Sequence, residues 1–144
     1  MSTPDSDTTL VARSILLLAR RLRAETAAQD LTGAALALLA TAHRLGPVPA
    51  VRLAAEERLA PQSLTRLLQG LEGNGFIVRT PDPADRRNKL ISITPAGGKA
   101  LRAALQPRRD WLARSMAEHL SPAECDILEE AAHLMLRLSG EPGD

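Results

Sequence analysis

The sequence predicts a mainly α fold that contains one small β-hairpin, and three observations support this prediction. Hydrophobic residues make up 44% of the 144 positions but aromatic residues only 1%, so Leu, Ala, Ile and Val must form the interior. Apolar residues recur every three to four positions in several segments, which is the period of an α-helix. Residues 76–93 instead contain two short runs rich in Ile and Val on either side of a loop with proline and charge, which is typical of a hairpin.

Two helices are expected in the N-terminal part, after a loose tail at residues 1–7. The first is predicted over Leu10–Gln29, capped by one of the two threonines that precede it, with a wide apolar stripe. Thr32 is the expected N-cap of the second helix, predicted over Gly33–Arg44. The pair Gly46-Pro47 should end that second helix.

The middle of the chain predicts two short helices joined by a tight turn, at Ala50–Glu57 and Pro61–Glu72. Strands are predicted at Phe76–Arg79 and Leu90–Ile93. The loop between them, residues 80–89, carries three cations within four positions. A helix-turn-helix followed by a basic wing is a device for gripping a DNA duplex, so this stretch is the expected functional centre.

Two further helices are expected at the C-terminal end. Thr94 can cap a helix over Pro95–His119, in which Pro107 should introduce a kink. Ser121-Pro122-Ala123-Glu124 matches a capping box, so a last helix is predicted over Pro122–Leu138. The terminal helices carry more apolar surface than a monomer of this kind would cover, which predicts a symmetric dimer.

The predicted organisation therefore has five parts along the chain. They are a disordered tail, N-terminal helices for dimerisation and support, a winged helix-turn-helix unit, C-terminal dimerisation helices and a frayed tail. In that order they occupy residues 1–7, 8–44, 45–94, 95–140 and 141–144.

Charge is unevenly distributed although the net charge is only +1. Residues 44–99 carry nine basic against five acidic side chains, a surplus of +4, whereas residues 100–144 are net acidic. A phosphate-binding surface is therefore expected in the middle of the chain. Neither a signal peptide nor an apolar run long enough for a bilayer is evident, so we expect a cytoplasmic protein without a membrane partner.

The outward face of the second short helix and the wing hold the predicted DNA contacts. Amide and guanidinium groups on that helix could read purine edges in the major groove, although a solvated polar face is the alternative interpretation. Asp85 is placed to pair with Arg87 and aim it at the minor groove, where the negative potential is strongest. The predicted DNA-contacting residues are Gln62, Ser63, Thr65, Arg66, Gln69, Arg79, Asp85, Arg86, Arg87 and Lys89.

The central stretch resembles the winged-helix core of the MarR family of bacterial transcription regulators. The resemblance is carried by Leu53-Ala54, Pro61–Leu67, Leu71–Arg79 and Asp82–Gly97. Within it, the wing signature of Asp-x-Arg, aliphatic positions, Thr and Gly falls on Asp85, Arg87, Ile91, Ile93, Thr94 and Gly97. The sequence departs from the family pattern at four positions, which are Glu57, Arg58, Ala60 and Gly70.

The resemblance implies a homodimeric regulator of double-stranded DNA, with an inverted-repeat operator. Helix 61–72 would lie in the major groove and the wing in the minor groove. It also implies a cleft, between the dimer helices and the DNA-binding unit, that responds to a small-molecule effector. A repressor released by that effector is the predicted function. The polar and aromatic candidates for the cleft are Arg13, His43, Arg44 and Trp111, each of which could equally be structural.

Other functions are less well supported by the sequence. No catalytic constellation or phosphate loop is evident, so neither an enzyme nor a cofactor is expected. Cys125, Glu129 and His133 share one helix face, with His119 near in sequence, but they span two turns and a solvated face is the preferred interpretation over a metal site. A redox role for Cys125 is similarly weak. The main alternative function is a winged-helix protein-interaction module that no longer binds DNA.

Overall fold

The computed structural model describes residues 4–26 and 31–140. Contacts group the chain into two compact units, one of residues 1–25 and 108–144 and the other of residues 26–107. The described residues form six helices and three strands. In chain order these are α1 (Pro4–Ala24), α2 (Gly33–Leu45), β1 (Val48–Pro49), α3 (Ala50–Glu57), α4 (Pro61–Gly73), β2 (Ile77–Pro81), β3 (Lys89–Ile93), α5 (Pro95–His119) and α6 (Pro122–Leu138).

Aliphatic side chains fill the core of the unit at residues 26–107, as the composition predicts. The largest fully buried side chains come from α2, α3, α4 and all three strands, and none of them is aromatic. Phe76 is only partly buried against this core. The fully buried set is Leu38, Leu39, Val48, Leu53, Leu71, Ile77 and Ile91.

The sheet has three antiparallel strands in the order β1-β3-β2. The hairpin of β2 and β3 is confirmed, but β2 begins at Ile77 rather than Phe76. The strands extend to Pro81 and from Lys89, so the loop is shorter than predicted. Pro81 fits because β2 is an edge strand. Strand β1 was not predicted, since the two residues of Val48–Pro49 are too few to show a period in sequence.

Three helices, α3, α5 and α6, have the predicted bounds. Helix α2 and helix α4 each end one residue later than predicted. The prediction for α1 was wrong at its start: the helix begins at Pro4, so residues 4–7 are not a loose tail and Thr8 and Thr9 lie inside the helix. A proline is favoured in a first turn because its missing N–H costs nothing there. The helix ends at Ala24, whereas the predicted end at Gln29 lies outside the described residues.

The predicted caps of α2 and α6 are present, unlike the one predicted for α1. The Thr32 hydroxyl accepts a hydrogen bond from the Ala35 N–H at 3.2 Å. Ser121 and Glu124 form the reciprocal capping box, with hydrogen bonds of 2.8 and 3.3 Å. The Ser121 backbone N–H, which donates to the Glu124 carboxylate, and then the Ser121 side chain lower the pKa of that carboxyl below its usual range. Pro107 lies within the continuous helix α5, and the predicted tail at residues 141–144 lies outside the described part of the chain.

The start of α5 is fastened to the turn between α4 and β2. The Thr94 hydroxyl donates to the Gly75 carbonyl at 2.6 Å and accepts from the Gly97 N–H at 3.0 Å. The Thr94 N–H donates to the Phe76 carbonyl at 3.0 Å. A Cβ at position 97 would lie 2.1 Å from that Phe76 carbonyl oxygen, so only glycine fits. These contacts between the start of α5 and the α4–β2 turn fix the position of the hairpin relative to α4.

Candidate nucleic-acid interface

Helix α4 presents a polar face because three leucines hold its opposite face in the core. Leu64, Leu68 and Leu71 are buried, which leaves the predicted contact residues on the solvent side. The Thr65 hydroxyl donates to the Pro61 carbonyl at 2.9 Å, so its oxygen remains available as an acceptor. Of the five predicted contact residues on α4, Gln62, Thr65, Arg66 and Gln69 are exposed and Ser63 is half-buried.

The entry to α4 is held by backbone geometry rather than by a side-chain cap. Ala60, the N-cap residue, makes no side-chain cap hydrogen bond, as its methyl group dictates. Arg58 ends α3 in the left-handed region with φ 51°, and it is the one non-glycine residue with positive φ among those described. The Leu59 N–H donates to the Ala54 carbonyl at 2.9 Å and closes the turn.

A contact between α2 and α3 stabilises the end of α3, where this turn begins. Thr41, which is buried on α2, donates its hydroxyl hydrogen to Glu57 Oε1. The Arg44 guanidinium lies 3.5 Å from Glu56 in the same helix pair. The unusual Glu57 therefore satisfies a buried hydroxyl, which explains how this position accepts a carboxylate.

Two aspartates shape the wing through backbone hydrogen bonds. The Asp82 carboxylate accepts from the Ala84 N–H at 2.9 Å, and the Asp85 carboxylate accepts from the Arg87 N–H at 3.1 Å. The Asp82 N–H donates to the Asn88 carbonyl at 2.9 Å and closes the loop. Such Asx turns set a tight loop without apolar packing. Sequence reasoning missed the part played by Asp82. An aspartate in a loop that also contains proline is nevertheless a recognisable signal of an Asx turn, in which its carboxylate accepts from the N–H two residues later.

The cations of the wing differ in how they are held. Arg87 is 94% exposed, and its Nε lies 3.9 Å from Asp85 Oδ1, so the predicted pairing is present as a loose ion pair. Arg86 and Lys89 are also exposed. Arg79 on β2 is only 27% exposed, and its Nε lies 3.0 Å from Glu72 Oε2 on α4. Sequence reasoning missed this second pair.

A cavity of about 250 Å³ opens at the base of the wing. It combines the start of α3 with the hairpin, and three cationic side chains face it. A concave surface of this charge suits a phosphate group. The lining residues are Pro49, Ala50, Val51, Arg79, Arg87, Asn88, Lys89 and Ile91.

The predicted effector residues belong to different compact units, each described by itself. His43 and Arg44 are exposed on α2 in the unit at residues 26–107. In the other unit, Trp111 is half-buried, with the Arg21 guanidinium 4.8 Å from its ring centre, and Arg13 is exposed on α1. The effector cleft stays a prediction.

The remaining alternatives can be compared with the described residues. Among these residues, no group of three His, Cys, Asp or Glu side chains is arranged to hold a metal ion. Cys125 is half-buried and forms no disulfide among the described residues. Within the same part of the chain, no helix combines the length and apolar character that crossing a membrane requires.

Comparisons with known proteins agree with this geometry. Residues 31–89 match the model of the MarR family. The chain is 36% identical over 140 residues to an HTH-type transcriptional regulator of Mycobacterium tuberculosis, covering 95% of this chain and 97% of that protein. A candidate transcriptional regulator from Pseudomonas aeruginosa is 34% identical, with a TM-score of 0.76 and coverage of 96% and 98%. The fold is also shared with a mutant MarR from E. coli, at 23% identity, a TM-score of 0.72 and coverage of 90% and 95%.

Proposed function

Because the chain belongs to the MarR family of helix-turn-helix transcription regulators, we propose that it is a dimeric repressor of an inverted-repeat operator. A small-molecule effector would release it from DNA. Helix α4 would enter the major groove, and the wing would place Arg87 in the minor groove. The observation that carries the proposal is the wing, whose exposed cations lie on a loop that two aspartates shape, in the same unit as the exposed polar face of α4.

The proposed dimer is supported by apolar side chains that the unit of residues 1–25 and 108–144 leaves exposed. Helix α6 has no buried residue, and an apolar groove of about 380 Å³ lies between α1, α5 and α6 within that unit. A second copy would cover this surface and present a second recognition helix to the other half-site. The exposed large apolar residues of α1 and α6 are Leu10, Val11, Ile15, Leu16, Leu17, Leu18, Ile127, Leu134, Met135, Leu136 and Leu138.

Operator binding by two arginine variants tests the proposal. Arg87→Ala and Arg66→Ala should each weaken binding to a duplex from the gene's own upstream region, about tenfold, since each removes one base or phosphate contact. Arg87→Ala should also lower the salt slope if a phosphate is nearby. The measurement is a mobility-shift titration at several salt concentrations.

The matched control is Arg102→Ala, which removes an exposed arginine of α5 outside the wing and α4. It should leave the affinity within twofold of the wild-type value. Unchanged affinity in both Arg87→Ala and Arg66→Ala would contradict the proposal. The protein-interaction alternative, which the uncapped start of α4 keeps open, would be favoured if the wild-type chain showed no salt-sensitive binding to such a duplex.

A further inference from the structure

Glu72 and Arg79 join the end of the recognition helix to the first strand of the wing. Their charged atoms lie 3.0 Å apart, whereas the Asp85–Arg87 pair is separated by 3.9 Å. Arg79 Nε is buried, and no acceptor among the described residues meets it in hydrogen-bond geometry. The nearby Glu72 carboxylate therefore compensates this nitrogen by charge.

Arg79 is also one of the residues that line the cavity at the base of the wing, together with Arg87 and Lys89. Like charges around one concave surface repel one another, which would drive the longest side chains apart in solution. The Glu72 carboxylate, next to Arg79, counteracts that repulsion. Glu72 is 45% exposed, so it can hold Arg79 without being desolvated itself.

We infer that Glu72 is a positioning residue, which holds Arg79 at the cavity so that its guanidinium, beside Lys89, takes one phosphate of the DNA backbone. This inference rests on the proposed DNA-binding function. It makes the pair a rigid link between the two DNA-binding elements, because one partner is on α4 and the other on β2. The relative placement of the major-groove helix and the wing then depends on this ion pair as well as on the core and on the hydrogen bonds of Thr94.

Whether removal of the Glu72 charge weakens or tightens DNA binding distinguishes a positioning residue from an ordinary surface acid. A carboxylate that only lies near DNA repels the phosphates, so its removal tightens binding. A carboxylate that positions a phosphate-binding arginine has the opposite effect, because its removal releases that arginine. Glu72→Gln keeps the size of the side chain and removes the charge, so it reports this sign directly.

The test is operator affinity and its salt slope for Glu72→Gln, Arg79→Gln and the double variant. We expect Glu72→Gln to weaken binding about three- to tenfold and to reduce the salt slope by about 0.9, the value of one phosphate contact, although no cation has been removed. In the Arg79→Gln background, the same Glu72→Gln change should cause no further loss. The matched control is Glu56→Gln, an acid 40% exposed and paired with Arg44, whose removal should leave binding equal or tighter.

Equal or tighter binding of Glu72→Gln in the wild-type background would overturn the inference, as would unchanged binding of Arg79→Gln. Circular dichroism melting of each variant separates a loss of folded protein from a loss of contact, and each variant should remain fully folded at the temperature of the binding assay. If the wild-type protein binds and Arg87→Ala weakens it while Glu72→Gln does not, only the inference fails. If the wild-type protein binds no duplex, the proposed function fails instead.

Discussion

The recognition helix and the wing carry the same kind of polar and cationic side chains, but different forces hold them. Helix α4 is fixed by burial of Leu64, Leu68 and Leu71, while its N-terminus has no side-chain cap. The wing loop has no buried side chain, and the carboxylates of Asp82 and Asp85 set its backbone. Packing therefore determines where the helix lies, and local hydrogen bonds determine where the wing lies. Substitutions that disturb packing should therefore lower the free energy of unfolding, whereas substitutions in the wing loop should lower operator affinity alone.

Gly97 is where both regions can be disrupted together, because it lies against the turn that joins them. Gly97→Ala should destabilise the protein by about 3 kcal/mol, since a Cβ there would lie 2.1 Å from the Phe76 carbonyl oxygen. That backbone oxygen already accepts the Thr94 N–H, so it has little freedom to move. Urea unfolding monitored by circular dichroism measures the loss.

Gly98→Ala provides the control in the same helix turn. A Cβ at that position would meet only the Arg102 side chain, at 3.5 Å, so we expect no destabilisation and a gain of up to about 1 kcal/mol from helix propensity. Equal effects of the two substitutions would show that helix propensity, not the close approach to Phe76, determines stability here.

Asp85→Ala tests the wing alone. It removes the acceptor of the Arg87 N–H and the loose ion pair, so operator affinity should fall about fivefold. The free energy of unfolding should change by less than about 0.5 kcal/mol, because the residue is exposed and the core is untouched. A mobility-shift titration should thus show weaker operator binding, while urea unfolding shows almost unchanged stability. A comparable loss of stability would mean that the wing is coupled to the core more strongly than its exposure indicates.

The sequence predicted most elements of the fold where a residue type marks a boundary. Proline at the first helical position located the starts of α4, α5 and α6, and Thr94 and Ser121 marked the caps of the last two, since these residues act through their nearest neighbours. Strand β1 was missed because its two residues are ordered by pairing with β3, not by any local preference. The start of α1 was missed because the residues directly after Pro4 are polar and show no apolar period.

The candidate site was predicted as a set of residues, but not as a set of contacts. Asp85 and Arg87 are two positions apart, so their pairing could be predicted from sequence. Glu72 and Arg79 meet only because a turn folds β2 back beside the end of α4. Likewise, the contact of Thr41 with Glu57 depends on how two helices pack. Such contacts follow from tertiary structure and leave no periodic signal.

Gly70→Ala tests whether helix propensity limits the recognition helix, and it should change stability much less than Gly97→Ala does. Gly70 is an interior position of α4, and a Cβ there would meet no atom within 4 Å. Alanine should therefore stabilise the protein by about 0.8 kcal/mol. If packing alone sets the pose of α4, operator affinity should stay within twofold of the wild-type value. Gly73→Ala, at the last residue of the same helix, is the control and should gain less, because terminal positions fray. Weaker operator binding by a more stable Gly70→Ala protein would instead indicate that DNA approaches the helix closely at Gly70, and that the absence of a side chain there serves recognition.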